Sequence, residues 1–173
     1  MYDKNYVDSD IKKISNLAHS NIINIYYKNP FTKINFIDKL IKAMNYEIIY
    51  VDCDLLYSGY VKSGILRQEK SVTIIQPTNK ATIDNIKNIS LKLAKQKCLL
   101  IIDSLNSFNN VFSNDSGIKI TTTIMLLTSL AKISKSMILL SSNVDSEDEY
   151  SFTLSIIGTY IIKPKKLHNV YIK

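Results

Sequence analysis

Residues 22–44 read IINIYYKNPFTKINFIDKLIKAM. Five of the first six, all but Asn24, are apolar or aromatic, and the run is rich in β-branched and tyrosine side chains, the composition of a buried strand. A short polar loop through Lys28, Asn29 and Pro30 follows. Ile34, Ile37, Leu40, Ile41 and Met44 then recur at helical spacing, which predicts a helix over 34–45. Strand, short loop and helix make one unit of an alternating fold, and the rest of the chain repeats that alternation.

Upstream, SDIKKISNLAH (9–19) places Ile11, Ile14, Leu17 and Ala18 on one helical face behind capping candidates Asp8 and Ser9, so an N-terminal helix is expected within residues 1–20. Downstream, Tyr46–Val51 reads as a strand that runs into Asp52-Cys53-Asp54, and 55–66 reads as a short helix. Ser71–Gln76 is a further strand, closed by Pro77. A helix is predicted over 79–97, with Ile83, Ile86, Ile89, Leu91, Leu93 and Ala94 as its apolar positions. CLLIID (98–103) is an apolar strand ending in an acid, followed by a polar loop (104–117), a helix (118–135) and the strand MILLSS (137–142). After the acidic stretch 145–149, two β-rich segments, 151–162 and 167–172, flank Lys163-Pro164-Lys165-Lys166 in the manner of an antiparallel hairpin.

Strands separated by helices of ten or more residues require crossover connections, hence a mostly parallel sheet. Runs that are apolar on both faces, such as LLIID and MILLSS, belong at the centre of a sheet covered on both sides. The expected fold class is therefore α/β, a three-layer single domain over 1–173 with a C-terminal antiparallel hairpin at one edge.

At 173 residues the chain is long enough to bury a full core, and 46% hydrophobic against 21% charged residues excludes wholesale disorder. With only four glycines, a glycine-cradled phosphate site is not expected anywhere. The net charge of +7 permits contact with nucleic acid, although the basic residues are scattered and also fit a solvated lysine-rich surface. Cys53 and Cys98 fall in apolar runs and read as free thiols; His19 and His168 lack the neighbours of a zinc site. MYDKNYVDSD lacks a secretory apolar core, and no apolar run approaches the ~20 residues of a membrane span, so a cytoplasmic protein without a membrane partner is expected.

In a doubly wound fold the ligand crevice lies at the carboxyl ends of the strands. The residues there are the loop 28–33, Asp54, Asp103, and Ser141, Ser142 and Asn143. Aligned with the phosphate-binding pattern G-x-x-x-x-G-K-[ST], residues 27–34 keep only the lysine, Lys33. Tyr27 and Thr32 stand at the glycine positions and Ile34 at the Mg²⁺-binding hydroxyl.

Four stretches together resemble the RecA-like ATPases, in particular the RadA and KaiC-like branches. They are IYYKNPFTKI at the P-loop, YVDCDLLYSGYV at the strand that carries the catalytic glutamate, LLIIDSLNSF at the Walker B strand, and LTSLAKISKSMILLSSNV at the helix and strand leading to the polar sensor. The resemblance covers 20–172. It implies a RecA-like core in which Asp54 and Asp103 are the catalytic positions, Asp103 holds Mg²⁺ through water, and Lys33, Thr32 and Asn143 meet the nucleotide.

The departures imply loss of that chemistry. Pro30 has no N–H to offer a phosphate, Phe31 adds bulk, Ile34 cannot ligate Mg²⁺, and Asp54 is one methylene shorter than glutamate. Each residue also has a plainer reading: Lys33 as a surface lysine at a helix N-terminus, Asp103 and the Asp52/Asp54 pair as turn caps, Asn143 as a loop residue. Tyr57, Tyr60 and Arg67 read as core packing or as an interface.

The function expected is that of a non-hydrolysing RecA-like subunit. It would assemble with itself or with other RecA-like subunits, with no cofactor required and nucleic acid as a further partner. The alternatives are a RecA- or KaiC-like ATPase using ATP and Mg²⁺, and a DNA-binding recombination accessory protein.

Overall fold

The computed structural model describes residues 22–78, 82–113, 120–143 and 167–172, together with Ile11, Lys12 and Ile14. Its elements are β1 (Ile22–Tyr27), α1 (Pro30–Ala43), β2 (Glu47–Asp52), α2 (Leu56–Lys62), β3 (Val72–Ile75), α3 (Thr82–Lys95), β4 (Cys98–Asp103), α4 (Leu105–Ser113), α5 (Ile120–Ser134), β5 (Met137–Asn143) and β6 (Leu167–Ile172). The strands form one sheet in the order β3-β2-β4-β5-β1-β6, and every pairing is parallel.

The central strands are apolar on both faces because both faces are covered. β4 is buried along its whole length, and alternate residues enter different cores. Leu99 and Ile101 join Ile23, Ile25, Ile48, Tyr50 and Leu139 beneath α1 and α2. Leu100 and Ile102 join Ile49, Val51, Ile138 and Leu140 beneath α3, α4 and α5. Ile11 and Ile14 are buried in the first core, as the N-terminal periodicity requires; the remainder of 1–20 lies outside the described residues.

Four sequence expectations change. The last strand does not turn back antiparallel: β6 lies parallel to β1, from Ile22 opposite Leu167 to Tyr27 opposite Ile172. The other half of the expected hairpin, 151–162, with the 163–166 turn and the acidic 145–149 stretch, lies outside the described residues. The segment after β4 is a helix, α4, because Leu105 and Phe108 bring an apolar face to the second core. Helix α1 starts at Pro30 rather than Ile34, which leaves a two-residue connection, Lys28 and Asn29, between β1 and α1. In α3, Ile83 and Leu91 are 64% and 48% exposed, whereas Ile89 and Leu93 are the buried positions.

Candidate functional site

The start of α1 follows from two adjacent residues. Proline fits the first helical position because its fixed φ suits the helix and its missing N–H has no partner there. Asn29 is the N-cap: its side-chain oxygen accepts from the Phe31 N–H at 2.8 Å and the Thr32 N–H at 3.4 Å. The Lys33 N–H donates to the Asn29 carbonyl at 3.1 Å. The free donors of this helix terminus are thereby taken up by the chain itself. An anion here would have to displace the Asn29 carboxamide.

Starting the helix at Pro30 also sets where Lys33 points. Its side chain turns onto the sheet and is 0% exposed, so it is not the surface lysine of the plainer sequence reading. Its ammonium lies 2.7 Å from Asp103 Oδ1, 3.5 Å from Asp54 Oδ2 and 4.7 Å from the centre of the Tyr27 ring. Phe31, expected to crowd the loop, instead points outward at 54% exposure and meets the Tyr60 ring.

Asp103 is the hub. It ends β4, is 0% exposed, and its carboxylate accepts from Lys33 Nζ and Ser141 Oγ on one oxygen and from the Tyr50 hydroxyl on the other. The strand register brings these groups together. Asp52 pairs with Asp103, Tyr50 with Ile101, and β5 carries Ser141 on the same face. A buried carboxylate with three donors, one of them its counter-ion, is fully satisfied, which is the condition for keeping such a charge in a core.

Asp54 sits at the rim, 24% exposed, and accepts from Ser104 Oγ at 3.3 Å. Asp52 serves a separate end. Its Oδ2 accepts from the Ser58 N–H at 2.7 Å inside α2, the turn-capping role foreseen for it, while its Oδ1 has no hydrogen-bond partner among the described residues. Thr32 is half-buried and contributes its backbone N–H to the cap. Asn143 ends β5 opposite Tyr27, beside the cluster in register. The structure thus brings Lys33, Asp54 and Asp103 into direct contact and leaves Thr32 and Asn143 at the margin.

Two members were not singled out from sequence. Tyr50 carried a signal, a hydroxyl two residues before Asp52 on the same face of an otherwise apolar strand. Asn29 carried another, since Asn-Pro before an apolar helical period is a helix start. Tyr57 is core, stacked on Tyr50 with ring centroids 4.3 Å apart. Cys53 is half-buried and Cys98 buried, both as free thiols.

Burial governs the protonation of the cluster. It opposes the charge on Lys33, but Asp103, the Tyr27 hydroxyl and Asp54 outweigh it, so the ammonium loses its proton less readily than an ordinary lysine. Burial, reinforced by the Asp103 charge and hydrogen bond, pushes the Tyr50 hydroxyl well above the usual tyrosine value. Burial also raises Asp52, against the lowering effect of its Ser58 hydrogen bonds, and lifts the Cys53 thiol out of the range in which a thiolate forms. Tyr57 is pushed up to about 12, again chiefly by burial.

Lys33 and Tyr50 both hold protons more tightly in the folded state. Their stabilising contribution is complete below the ordinary values of 10.5 and 10.0 and is lost as pH rises through the raised ones. The melting temperature is expected to fall as pH rises above about 10, and to fall less in Tyr50→Phe, which has one fewer titrating group. An equal fall in wild type and variant would contradict the assignment to Tyr50.

No protein-family model matches this sequence, and no curated protein matches it. Among solved structures, the chain is similar to a "prototypical ATPase from the type III secretion system of pathogenic bacteria", with 12% identity, a TM-score of 0.55, and coverage of 86% of this chain and 52% of that one. It is also similar to a second solved structure, described as an "ATPase Domain", with 11% identity, a TM-score of 0.46, and coverage of 77% and 62%. The chain therefore spans less than two thirds of the length of either structure. At these identities the likeness speaks for the fold alone, a parallel α/β sheet with helices on both faces; in this chain the ends of β2, β4 and β5 meet around Asp103.

Proposed function

We propose that this chain is a non-hydrolysing RecA-like subunit, one that keeps the ATPase frame as an assembly element. One observation carries the reading. The groups that would receive a nucleotide's phosphates are already bonded to one another: the α1 amides to Asn29, and the Lys33 ammonium to Asp103. A working phosphate cradle needs several convergent backbone N–H groups on a glycine-rich loop and a lysine that reaches the β- and γ-phosphates. Here the connection is two residues long, Pro30 lacks an N–H, and Ile34, at the Mg²⁺-ligand position, is 1% exposed. The residues present do not fit Mg²⁺-ATP, and no catalytic step is assigned to Asp54 or Asp103.

Assembly is the role that remains for such a frame, with itself or with other RecA-like subunits. Among the described residues, no helix is long and apolar enough to cross a membrane.

The test is phosphate release from ATP with Mg²⁺, alongside light scattering of the purified protein. No turnover above the protein-free rate is expected, together with a mass above the 19.7 kDa of one chain or a mixed complex with a RecA-like subunit. Turnover abolished by Asp103→Asn would replace this reading with an ATPase. A strict monomer that joins no such subunit would remove the assembly role.

A further inference from the structure

The outer layer of the second face is built by α3 and α5, which pack side by side. Both lead into adjacent parallel strands, so they run in the same direction. Their ends are level: Ser136 Oγ, just beyond α5, lies 3.4 Å from the Gln96 carbonyl just beyond α3 and accepts from the Cys98 N–H at 3.0 Å.

Helix α5, ITTTIMLLTSLAKIS, has Lys132 as its sole charged residue. Its inner side buries Ile120, Ile124, Leu127 and Ala131 in the second core. Its outer side nevertheless exposes Met125 at 42%, Leu126 at 46% and Ile133 at 76%. Leu126 and Ile133 are two turns apart and share one side of the helix, and Leu91 of α3, 48% exposed, stands at the height between them. An exposed apolar strip rimmed by polar residues marks an interaction site.

The rim identifies what covers it. Lys87 and Lys95 on α3, Lys132 on α5 and Lys135 just beyond it are all exposed, Lys92 turns instead to Thr73 Oγ1 of β3 at 3.2 Å, and Asp84 is the exposed carboxylate among the described residues of these two helices. Pairing the strip two-fold with a second copy would set lysine rim against lysine rim, which is unfavourable. A nucleic-acid backbone would satisfy the lysines and leave the apolar strip without a partner. An amphipathic helix with an apolar stripe and acidic flanks satisfies both.

We propose that the α3–α5 face docks an acidic amphipathic helix of another protein, its apolar stripe on Leu91, Leu126 and Ile133 and its carboxylates on the surrounding lysines. This takes up the assembly reading and gives it a partner chemistry, on the face of the sheet opposite Lys33.

The probe is a fluorescein-labelled helical peptide of about 20 residues, with leucines at i, i+3, i+4 and i+7 and glutamates on the flanks, compared with the same peptide bearing lysines. Anisotropy titration is expected to show saturable binding of the glutamate peptide, at least about tenfold tighter than the lysine peptide and weakened by salt. Ile133→Ser and Leu126→Ser are each expected to weaken it by about tenfold, with circular dichroism unchanged. Should Leu126→Ser disturb folding, the charge reversal Lys132→Glu/Lys135→Glu on the exposed rim gives the same reading.

Equal affinity for the two peptides, no binding of either, or insensitivity to the face variants would overturn the proposal. So would a dimer in light scattering that Ile133→Ser dissolves, which assigns the face to a second copy. Phosphate release by the same variants tests the nucleotide reading separately, because that site lies beyond the sheet.

Discussion

Replacing Lys33 with methionine is expected to lower the free energy of unfolding by about 3–5 kcal/mol, the cost of leaving a buried carboxylate without its counter-charge. Methionine fills most of the volume of the lysine stem, so the loss is chiefly electrostatic. Asp103 would keep its Tyr50 and Ser141 donors yet remain an uncompensated anion at 0% exposure. Asp54, 3.5 Å from the ammonium, would lose an attractive partner as well. The double variant Lys33→Met/Asp103→Asn removes both charges while keeping an acceptor for Tyr50. It is expected to be more stable than Lys33→Met alone, with a coupling of about 1–3 kcal/mol in the double-mutant cycle. Urea unfolding of the four proteins checks both figures. A Lys33→Met loss within about 0.5 kcal/mol, the range of ordinary surface substitutions, would mean that the ammonium is solvated and uncommitted.

Leu100→Ala and Ile101→Ala are each expected to cost about 2–5 kcal/mol, the range for deleting a buried leucine or isoleucine side chain. The two residues are neighbours on the central strand β4 and both are 0% exposed, yet they enter opposite cores. In a sheet covered on one face, one of the pair would face water and its loss would be nearly silent. Comparable losses at both positions are therefore the signature of three layers, and a nearly silent substitution at either one would contradict it. Denaturant midpoints at an unchanged slope provide the comparison.

How much of this was legible in the sequence depends on which force set the feature. The central strands announced themselves because double burial leaves runs such as CLLIID without a polar face. The direction of β6 did not. Hairpin and crossover returns leave the same β-rich run, and the choice depends on partners distant in sequence, here β1. Helix α4 was hidden because LNSFNNVFS is rich in asparagine and serine, and its inner side is marked by Leu105, Phe108 and the partly buried Val111, each one turn apart.

The candidate site divides in the same way. Lys33, Asp54 and Asp103 were identified by their position at strand ends, and the structure brings those three into contact. The burial of Lys33 was not foreseen, because it follows from a shift of about one turn in where α1 begins, and element boundaries are the least secure part of a periodicity reading. The Asn-Pro pair held the information that fixes that boundary. Tyr50 needed the parallel register of β2 on β4 before its hydroxyl could be placed on Asp103.

Equilibrium binding of Mg²⁺-ATP tests most directly whether the chain's own groups close the phosphate site. Titrating a fluorescent ATP analogue with Mg²⁺ against the folded protein is expected to give no saturable signal through millimolar concentrations, about −4 kcal/mol of binding free energy at most. Saturable micromolar binding that Lys33→Met or Asp103→Asn abolishes in a still-folded protein would contradict it.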